Sequence, residues 1–310
     1  RNHIRLLCAM NGIRFAGIYD IDPDICASTA LEFGTKAFRS IGELLRETDC
    51  VTVAVPTSCH RDVVLECLSG GKSALVEKPA ASTVAEADEM IAEAEKRGLV
   101  LAVGHLERYN PAYRALDGEP VKPMFIESHR LAVFNPRGTD VAVVLDLMIH
   151  DIDIILDMVK RPITFVHAAG VSVVTDEADI ANARLQFEGG CVANLTASRI
   201  SQKKMRKVRM FQRNAYVSMD FLTGDTEIFT LRPDSRPEPL PGVPPERMEG
   251  ISYRKIKNDR ANALELELRD FILAVERGGR PRVTGQDGRL ALEVASRVLQ
   301  SMEISVRNLQ

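Results

Sequence analysis

Short apolar runs alternate with amphipathic stretches over the first hundred residues of this 310-residue chain. The alternation is typical of a parallel sheet whose strands are joined by crossover helices. The predicted strands are 13–19, 50–55, 74–76 and 99–103. The predicted helices are 23–33, 59–69 and 84–97, with helix-end signals at Pro23, at Gly70-Gly71 and at a Thr83/Glu86 capping box closed by Gly98. We therefore predict a doubly wound α/β domain.

The pattern changes to period two after about residue 118. Apolar residues alternate with polar ones over 181–187, and Glu188-Gly189-Gly190 predicts a turn into a return strand at 191–198. Further alternating runs at 206–212, 215–221 and 226–231 predict an antiparallel meander with one open face. Six prolines within 232–250 predict a surface loop, and helices are expected at 261–277 and 286–304. The predicted domains are thus 1–118 and 119–310, the second being α+β with an open, mainly antiparallel sheet.

Composition excludes several classes of protein. The net charge is −3 with interspersed signs, so no general electrostatic footprint for nucleic acid or an acidic membrane is present. Neither a signal peptide nor an apolar run of about 20 residues is found, and we expect a cytoplasmic protein. The six cysteines form no Cys-x-x-Cys pair, so we expect reduced thiols and no metal, with Cys59-His60 as a remote alternative.

Three positions follow predicted strands, where ligands bind to such a sheet: Asp20, Pro56-Thr57 and Lys78. An acid in the position of Asp20 bonds the adenosine ribose and repels a 2′-phosphate, and the next residue is Ile21 rather than a base. This favours NAD over NADP. A plain turn or helix-capping role for Asp20 is the equal alternative.

Lys78 lies between Glu77 and Pro79 at a strand end. Its ammonium is placed to polarise a substrate hydroxyl or carbonyl and to stabilise a developing alkoxide. The alternative is a loop lysine paired with Glu77.

A helix predicted over Thr139–Val159 is apolar on most of its surface between Val141 and Leu156. At about 100° per residue, one narrow polar stripe remains, formed by Asp146, His150, Asp153 and Asp157. Asp146 and His150 are four residues apart, so the carboxylate can orient the ring as a general base. A satisfied interior pair and a metal site are the alternatives, and Asp151 lies off the stripe without an assigned role.

Two further segments carry groups for phosphates or sugars. Residues 105–111 follow a strand and include Arg108 and Asn110. The basic cluster, defined as Lys203, Lys204, Arg206, Lys207 and Arg209, is suited either to phosphates or to the solvated face of a strand.

Several motifs occur in a fixed order: Asp20, Ala54-Val55-Pro56-Thr57 followed by His60, Glu77-Lys78-Pro79, Gly104-His105 and Asp146-x-x-x-His150-Asp151. Together they resemble the Gfo/Idh/MocA oxidoreductases over essentially the whole chain. The resemblance implies an NAD(P)-binding Rossmann domain and a second domain whose open sheet mediates formation of a homodimer or homotetramer. It also implies that Lys78, Asp146 and His150 are catalytic. The cofactor residues it implies are Asp20, Pro56, Thr57, His60, Glu77 and Lys78.

The segments Gly104–Pro111 and Arg137–Asp140 look like the nucleotide-sugar branch of this family, which oxidises the C3 hydroxyl of UDP-N-acetylglucosamine or its uronic acid. The branch implies substrate contacts from Arg108, Asn110 and Arg137. Residues 145–155, 198–199 and 203–207 are similar to bacterial members that make a 3-amino sugar for lipid A. The alternatives are a dehydrogenase of a free polyol or sugar, of the inositol or glucose type, and a non-catalytic, cofactor-sensing binding protein.

The resemblance also makes an expectation about the amino end. The family's first strand and Gly-x-Gly-x-x-Gly turn should lie directly before Arg1, because Asn2-His3 matches the residues that come after the third glycine. The amides of that turn cradle the cofactor pyrophosphate.

Overall fold

A computed structural model describes residues 1–135, 141–231, 250–257 and 261–307. The helices are α1 (Asn2–Ala9), α2 (Pro23–Phe33), α3 (Ile41–Arg46), α4 (His60–Ser69), α5 (Val84–Arg97), α6 (Pro111–Arg114), α7 (Ile149–Val159), α8 (Ala263–Arg277) and α9 (Gly285–Arg307). The strands are β1 (Cys50–Val53), β2 (Ser73–Glu77), β3 (Leu101–Gly104), β4 (Phe125–Leu131), β5 (Ile163–Val171), β6 (Ile180–Phe187), β7 (Val192–Ser198), β8 (Met205–Gln212), β9 (Ala215–Asp220), β10 (Asp225–Leu231) and β11 (Ile251–Ile256).

The chain forms two compact units, of which the first comprises residues 1–106 and 262–289. Its sheet has the order β1-β2-β3, and both pairings are parallel, so the three carboxyl ends lie at one edge. β2 is buried along residues 73–76, as expected for a strand covered on both faces. The predicted parallel sheet with crossover helices is confirmed.

The predicted strand at 13–19 is wrong as a strand. The described residues give this segment a single bridge, between Ile18 and Ala37, and no ladder. A run of apolar residues becomes a strand only where a neighbour offers its backbone groups. Gly17 lies directly against the backbone here, with φ of +148°, and an added Cβ would lie 2.3 Å from the Lys36 carbonyl oxygen.

The second unit comprises residues 107–261 and 290–310. Its eight-stranded sheet has the order β11-β10-β9-β8-β4-β7-β6-β5. All pairings are antiparallel except that of β4 with β7, which confirms the open, mainly antiparallel sheet. β4 separates β7 from β8, so the meander predicted from 181 to 231 is interrupted. The loop 199–204 between β7 and β8 is long enough to pass one strand, and only β4 fills the gap.

One face of this sheet packs against helices α7 and α9, through residues such as Ile152, Ile155, Ala295 and Val298. The preceding segment differs from the predicted continuous helix. Val144–Met148 is a π-helical turn, and the α-helix begins only at Ile149. A π-turn is wider than an α-turn, so the 100° rotation used to place Asp146 on a stripe does not hold there. Thr139 and Asp140 lie outside the described residues.

The compact units differ from the predicted domain bounds. The first unit ends at residue 106 rather than 118, and residues 262–289 join it. α8 explains the second difference, because its Phe271 packs against Leu75 of β2 and Ala102 of β3. Of the helices described, none combines the length and apolar character that a membrane crossing needs. The predicted loop at 232–250 lies outside the described residues apart from Gly250.

Candidate active site

The predicted cofactor residues Pro56, Thr57, Glu77 and Lys78 lie at or just after the ends of β1 and β2, at the carboxyl edge of the first sheet. Asp20 instead follows the segment 13–19, which is not a strand of that sheet. Pro56 is exposed and Thr57 half-buried, and a short 3₁₀ turn at Thr57–Cys59 follows β1. The exposed Asp20 carboxylate accepts the Asp22 amide at 3.0 Å, while Asp22 caps α2 through its own side chain. Asp20 thus has the turn role that was the alternative, but only one of its oxygens is engaged there. Beside it, Ile21 is 90% exposed. Cofactor binding by Asp20 stays a prediction.

Glu77 and Lys78 end β2. His3 of α1 donates from Nε2 to Glu77 Oε1 at 2.8 Å, and the Lys78 amide donates to Glu77 Oε2 at 3.3 Å. Burial raises the pKa of Glu77, but the His3 hydrogen bond, the charge of His3 and Lys78 together outweigh it, so the pKa lies below its usual value. The Glu77 carboxylate is therefore charged and next to Lys78. This agrees with the alternative interpretation of Lys78 as a loop lysine paired with Glu77.

His60, the first residue of α4, is 1% exposed. Its Nδ1 lies 3.0 Å from the Pro79 carbonyl oxygen and its Nε2 lies 2.9 Å from that of Val55. The ring therefore joins the segment after β1 to the segment after β2. Both nitrogens are engaged with backbone, so cofactor binding by His60 stays a prediction that competes with these contacts.

Asp146 and His150 lie in the second unit, in the π-turn and the first turn of α7, and both are half-buried. The other two acids of the predicted stripe have basic or hydroxyl partners. Asp153 accepts two hydrogen bonds from Arg108, at 2.7 and 2.8 Å, and Asp157 accepts from Tyr113 and forms an ion pair with Arg108. The stripe is thus divided, because its carboxyl-terminal half is joined to Arg108 while its amino-terminal half carries the predicted catalytic pair.

Arg108 is 3% exposed. Burial lowers its pKa, but the charges of Asp153 and Asp157 outweigh burial and raise it above the usual value. Asn110 caps α6 and donates to Glu107 and to the Phe221 carbonyl. Substrate binding by Arg108 and Asn110 stays a prediction, and each would have to leave internal partners to do it. Arg137 lies outside the described residues.

Sequence reasoning missed Arg130 of β4. Its guanidinium, 2% exposed, is bidentate to Asp151, with a shortest distance of 2.8 Å, and also donates to Glu107 at 2.8 Å. Asp151, which had no role by sequence, is thereby the anchor of the first turn of α7. The sequence pattern that could have predicted a buried Arg130 is the alternation along β4, which places Arg130 on the same buried face as Ile126.

The basic cluster is explained in part by the open face of the sheet. Lys207 and Arg209 form ion pairs with Asp220 and Glu127, which favours the solvated face of a strand over phosphate binding for these two residues. Arg206 is in register with Arg130 and forms an ion pair with the buried Glu107 instead.

Comparisons with known proteins agree with this architecture. Residues 1–105 match the oxidoreductase family with an NAD-binding Rossmann fold, and residues 127–216 match the GFO/IDH/MocA C-terminal domain. The chain is 36% identical to UDP-N-acetylglucosamine 3-dehydrogenase of Acidithiobacillus ferrooxidans over 94% of this chain and 90% of that protein. A solved structure of that enzyme superimposes with a TM-score of 0.89 at 34% identity, covering 98% of this chain and 94% of that one.

A more distant relative is myo-inositol 2-dehydrogenase of Thermotoga maritima, which is 25% identical over 86% of this chain and 82% of that protein. The fold and the family match define an oxidoreductase with an NAD-binding Rossmann domain. The chain belongs to the Gfo/Idh/MocA family of oxidoreductases. Its prediction as an enzyme acting on CH–OH groups is thereby confirmed, which removes the cofactor-sensing alternative.

Proposed function

We propose that this protein oxidises the C3 hydroxyl of UDP-N-acetylglucosamine with NAD as the hydride acceptor. The observation that carries the proposal is the near-complete alignment with the Acidithiobacillus enzyme, at 36% identity against 25% for the inositol dehydrogenase. The experiment is to incubate the purified protein with NAD and a panel of UDP-N-acetylglucosamine, its uronic acid, glucose and myo-inositol, following NADH absorbance. Oxidation of myo-inositol alone would replace the proposal with the free-polyol alternative.

Three side chains have roles in the proposed reaction. His150 takes the proton of the hydroxyl, and Lys78 stabilises the oxygen as negative charge develops on it. Asp146 orients His150 or Lys78. NAD, when bound, supplies the hydride acceptor. Lys78 belongs to the first unit, and Asp146 and His150 belong to the second.

The mechanism is tested by Lys78→Met and His150→Ala. Loss of a general base or of an electrostatic stabiliser costs about 10²- to 10⁴-fold in rate, so kcat should fall by that factor while the melting temperature is retained. Lys96→Met is the matched control, since Lys96 is an exposed helix residue of the first unit paired with Glu93. Near-normal turnover in either site variant would contradict these roles.

NAD preference is assigned to Asp20. Its exposed carboxylate is suited to ribose hydroxyls and repels a 2′-phosphate, and Ile21 offers no compensating charge. The double variant Asp20→Ser/Ile21→Arg should shift the ratio of kcat/KM for NAD over NADP by about tenfold or more, which is about 1.4 kcal/mol. Asp24→Ser, in the first turn of α2, is the control. An unchanged ratio would refute the assignment.

Association through the open sheet is the proposed oligomeric contact. An aromatic row crosses five adjacent strands on the face opposite α7 and α9: Phe125, Phe211, Tyr216, Phe229 and Tyr253. Neighbouring ring centroids are 4.9 to 5.9 Å apart, and Phe211 is 37% exposed. Such contiguous apolar surface is suited to a protein interface. Sedimentation of the native protein should give a dimer or tetramer. Phe211→Asp should dissociate it, whereas the control Leu31→Asp, on the exposed side of α2, should not. A monomeric native protein would refute association through the open sheet.

The role in lipid A synthesis and the cytoplasmic location remain proposals that depend on the assigned substrate.

A further inference from the structure

The short segment Glu77–Pro79, here called the Lys78 turn, is contacted by one histidine at each end. His3 bonds the Glu77 carboxylate at 2.8 Å, and His60 meets the Pro79 carbonyl at 3.0 Å. Lys78 lies between these two points of attachment. We propose that His3 and His60 are positioning residues that fix the Lys78 turn, and through it the Lys78 ammonium, at the carboxyl edge of the first sheet.

The first attachment depends on the Glu77 carboxylate having one conformation. One oxygen accepts from His3 and the other accepts from the Lys78 amide. The carboxylate also lies over Gly104, where an added Cβ would approach Oε2 to 3.1 Å. A carboxylate that is hydrogen-bonded at both oxygens and packed on a backbone has little freedom to rotate, so it transmits the position of His3 to the backbone of Lys78.

His3 is itself fixed by α1. The apolar residues Leu6, Leu7 and Met10 pack against Leu268 of α8 and anchor the helix within the first unit. His3 Nδ1 is buried and has no hydrogen-bond partner within the described ranges, so Nε2 makes the ring's hydrogen bond there, to Glu77. A carboxylate only accepts, and therefore Nε2 carries the hydrogen.

The second attachment is on the other side of the Lys78 turn. The buried ring of His60 lies between the Pro79 and Val55 carbonyls, and in the tautomer that carries the hydrogen on Nδ1 it donates to Pro79. The two histidines thus connect the Lys78 turn to α1 on one side and to the neighbouring strand end on the other. A misplacement of about 1 Å at a catalytic group can cost about 10²-fold in rate, so this double attachment is expected to affect turnover more than substrate binding.

The test compares His3→Ala, His3→Gln and, as a control on α1, Arg5→Ala. Glutamine keeps an amide donor near the position of Nε2, whereas alanine removes it. This inference rests on the proposed role of Lys78, so Lys78→Met is assayed beside them. With NAD and UDP-N-acetylglucosamine, His3→Ala should lower kcat by about tenfold or more with KM changed by less than about twofold. His3→Gln should recover most of the loss, and Arg5→Ala should match the native protein.

A second readout needs neither cofactor nor turnover. Acetylation of Lys78 by acetic anhydride, measured by mass spectrometry of its peptide, should be faster in His3→Ala and native-like in His3→Gln. A normal kcat and unchanged acetylation in His3→Ala, with Lys78→Met inactive, would overturn the inference alone. Equal loss in both His3 variants would also overturn it. An active Lys78→Met would overturn the proposed mechanism, while acetylation would still report whether His3 fixes the Lys78 turn. His60→Asn is a supporting variant, accepted only where its melting temperature is retained.

Discussion

Replacing Arg130 by methionine removes a guanidinium that Asp151 and Glu107 share. Arg130 is 2% exposed and makes a bidentate contact with Asp151 and a further bond to Glu107 at 2.8 Å. Removing one member of a buried ion pair costs about 3–5 kcal/mol, because a charge is left in a medium that cannot solvate it. Methionine preserves much of the volume, so the cost arises from charge rather than from a cavity.

The expected size can be expressed as a melting temperature. A unit of this size loses roughly 2–4 °C per kcal/mol, so Arg130→Met should melt about 6–20 °C below the native protein in differential scanning calorimetry. The matched control is Arg184→Met, since Arg184 is exposed on β6 and its side chain donates to Asn194 at 3.1 Å. Surface changes of that kind stay within about 0.5 kcal/mol.

A second variant separates charge from packing. Arg130→Met/Asp151→Asn removes the uncompensated carboxylate nearest to the lost guanidinium, so it should be more stable than Arg130→Met alone. An Arg130→Met transition no lower than that of Arg184→Met would refute the reasoning. The reasoning would also be refuted if adding Asp151→Asn to Arg130→Met lowered the stability as much as Asp151→Asn lowers it in the native protein.

Two further outcomes concern stability. The buried carboxylate of Asp179 accepts three backbone amides; burial raises its pKa, but these bonds outweigh it and place the pKa below the usual value. The charged Asp179 therefore stabilises the fold at pH values above the unfolded-state pKa of about 4. This stabilisation is lost as the pH falls through the lower pKa of the folded state. Asp179→Asn should therefore lower the free energy of unfolding by about 1–3 kcal/mol at neutral pH. In urea unfolding, the difference in stability between the variant and the native protein should decrease in acid. A difference that does not depend on pH, or an equal loss in the exposed control Asp176→Asn, would contradict this. Gly17→Ala should destabilise more than Gly12→Ala, since both have positive φ but only Gly17 has backbone 2.3 Å from the added Cβ; equal urea midpoints would count against it.

Local patterns predicted the elements whose determinants are close in sequence. The strand at 74–76, the capping of α5 by Thr83 with Gly98 in a left-handed conformation, and the turn at 188–190 all occur as predicted. Each depends on backbone preference or on the polarity of adjacent residues, which a single segment carries by itself. The motifs around Lys78 and His150 sufficed to indicate the family for the same reason.

Tertiary structure alone decided which groups meet. Arg130 lies 21 residues from Asp151 and 23 from Glu107, and Arg108 lies 45 from Asp153, so no local period links them. The segment 13–19 has the composition of a strand, yet it forms a single bridge, because pairing needs a neighbour that composition does not supply. His3 and Glu77, 74 residues apart, meet only where α1 packs beside the end of β2. The sequence by itself determined the elements with a clear local pattern, the family and the chemical groups at the strand ends, whereas β4, β5 and β11 were not predicted. The packing of those elements decided the partners, because a buried charge takes whichever opposite charge the fold brings within reach.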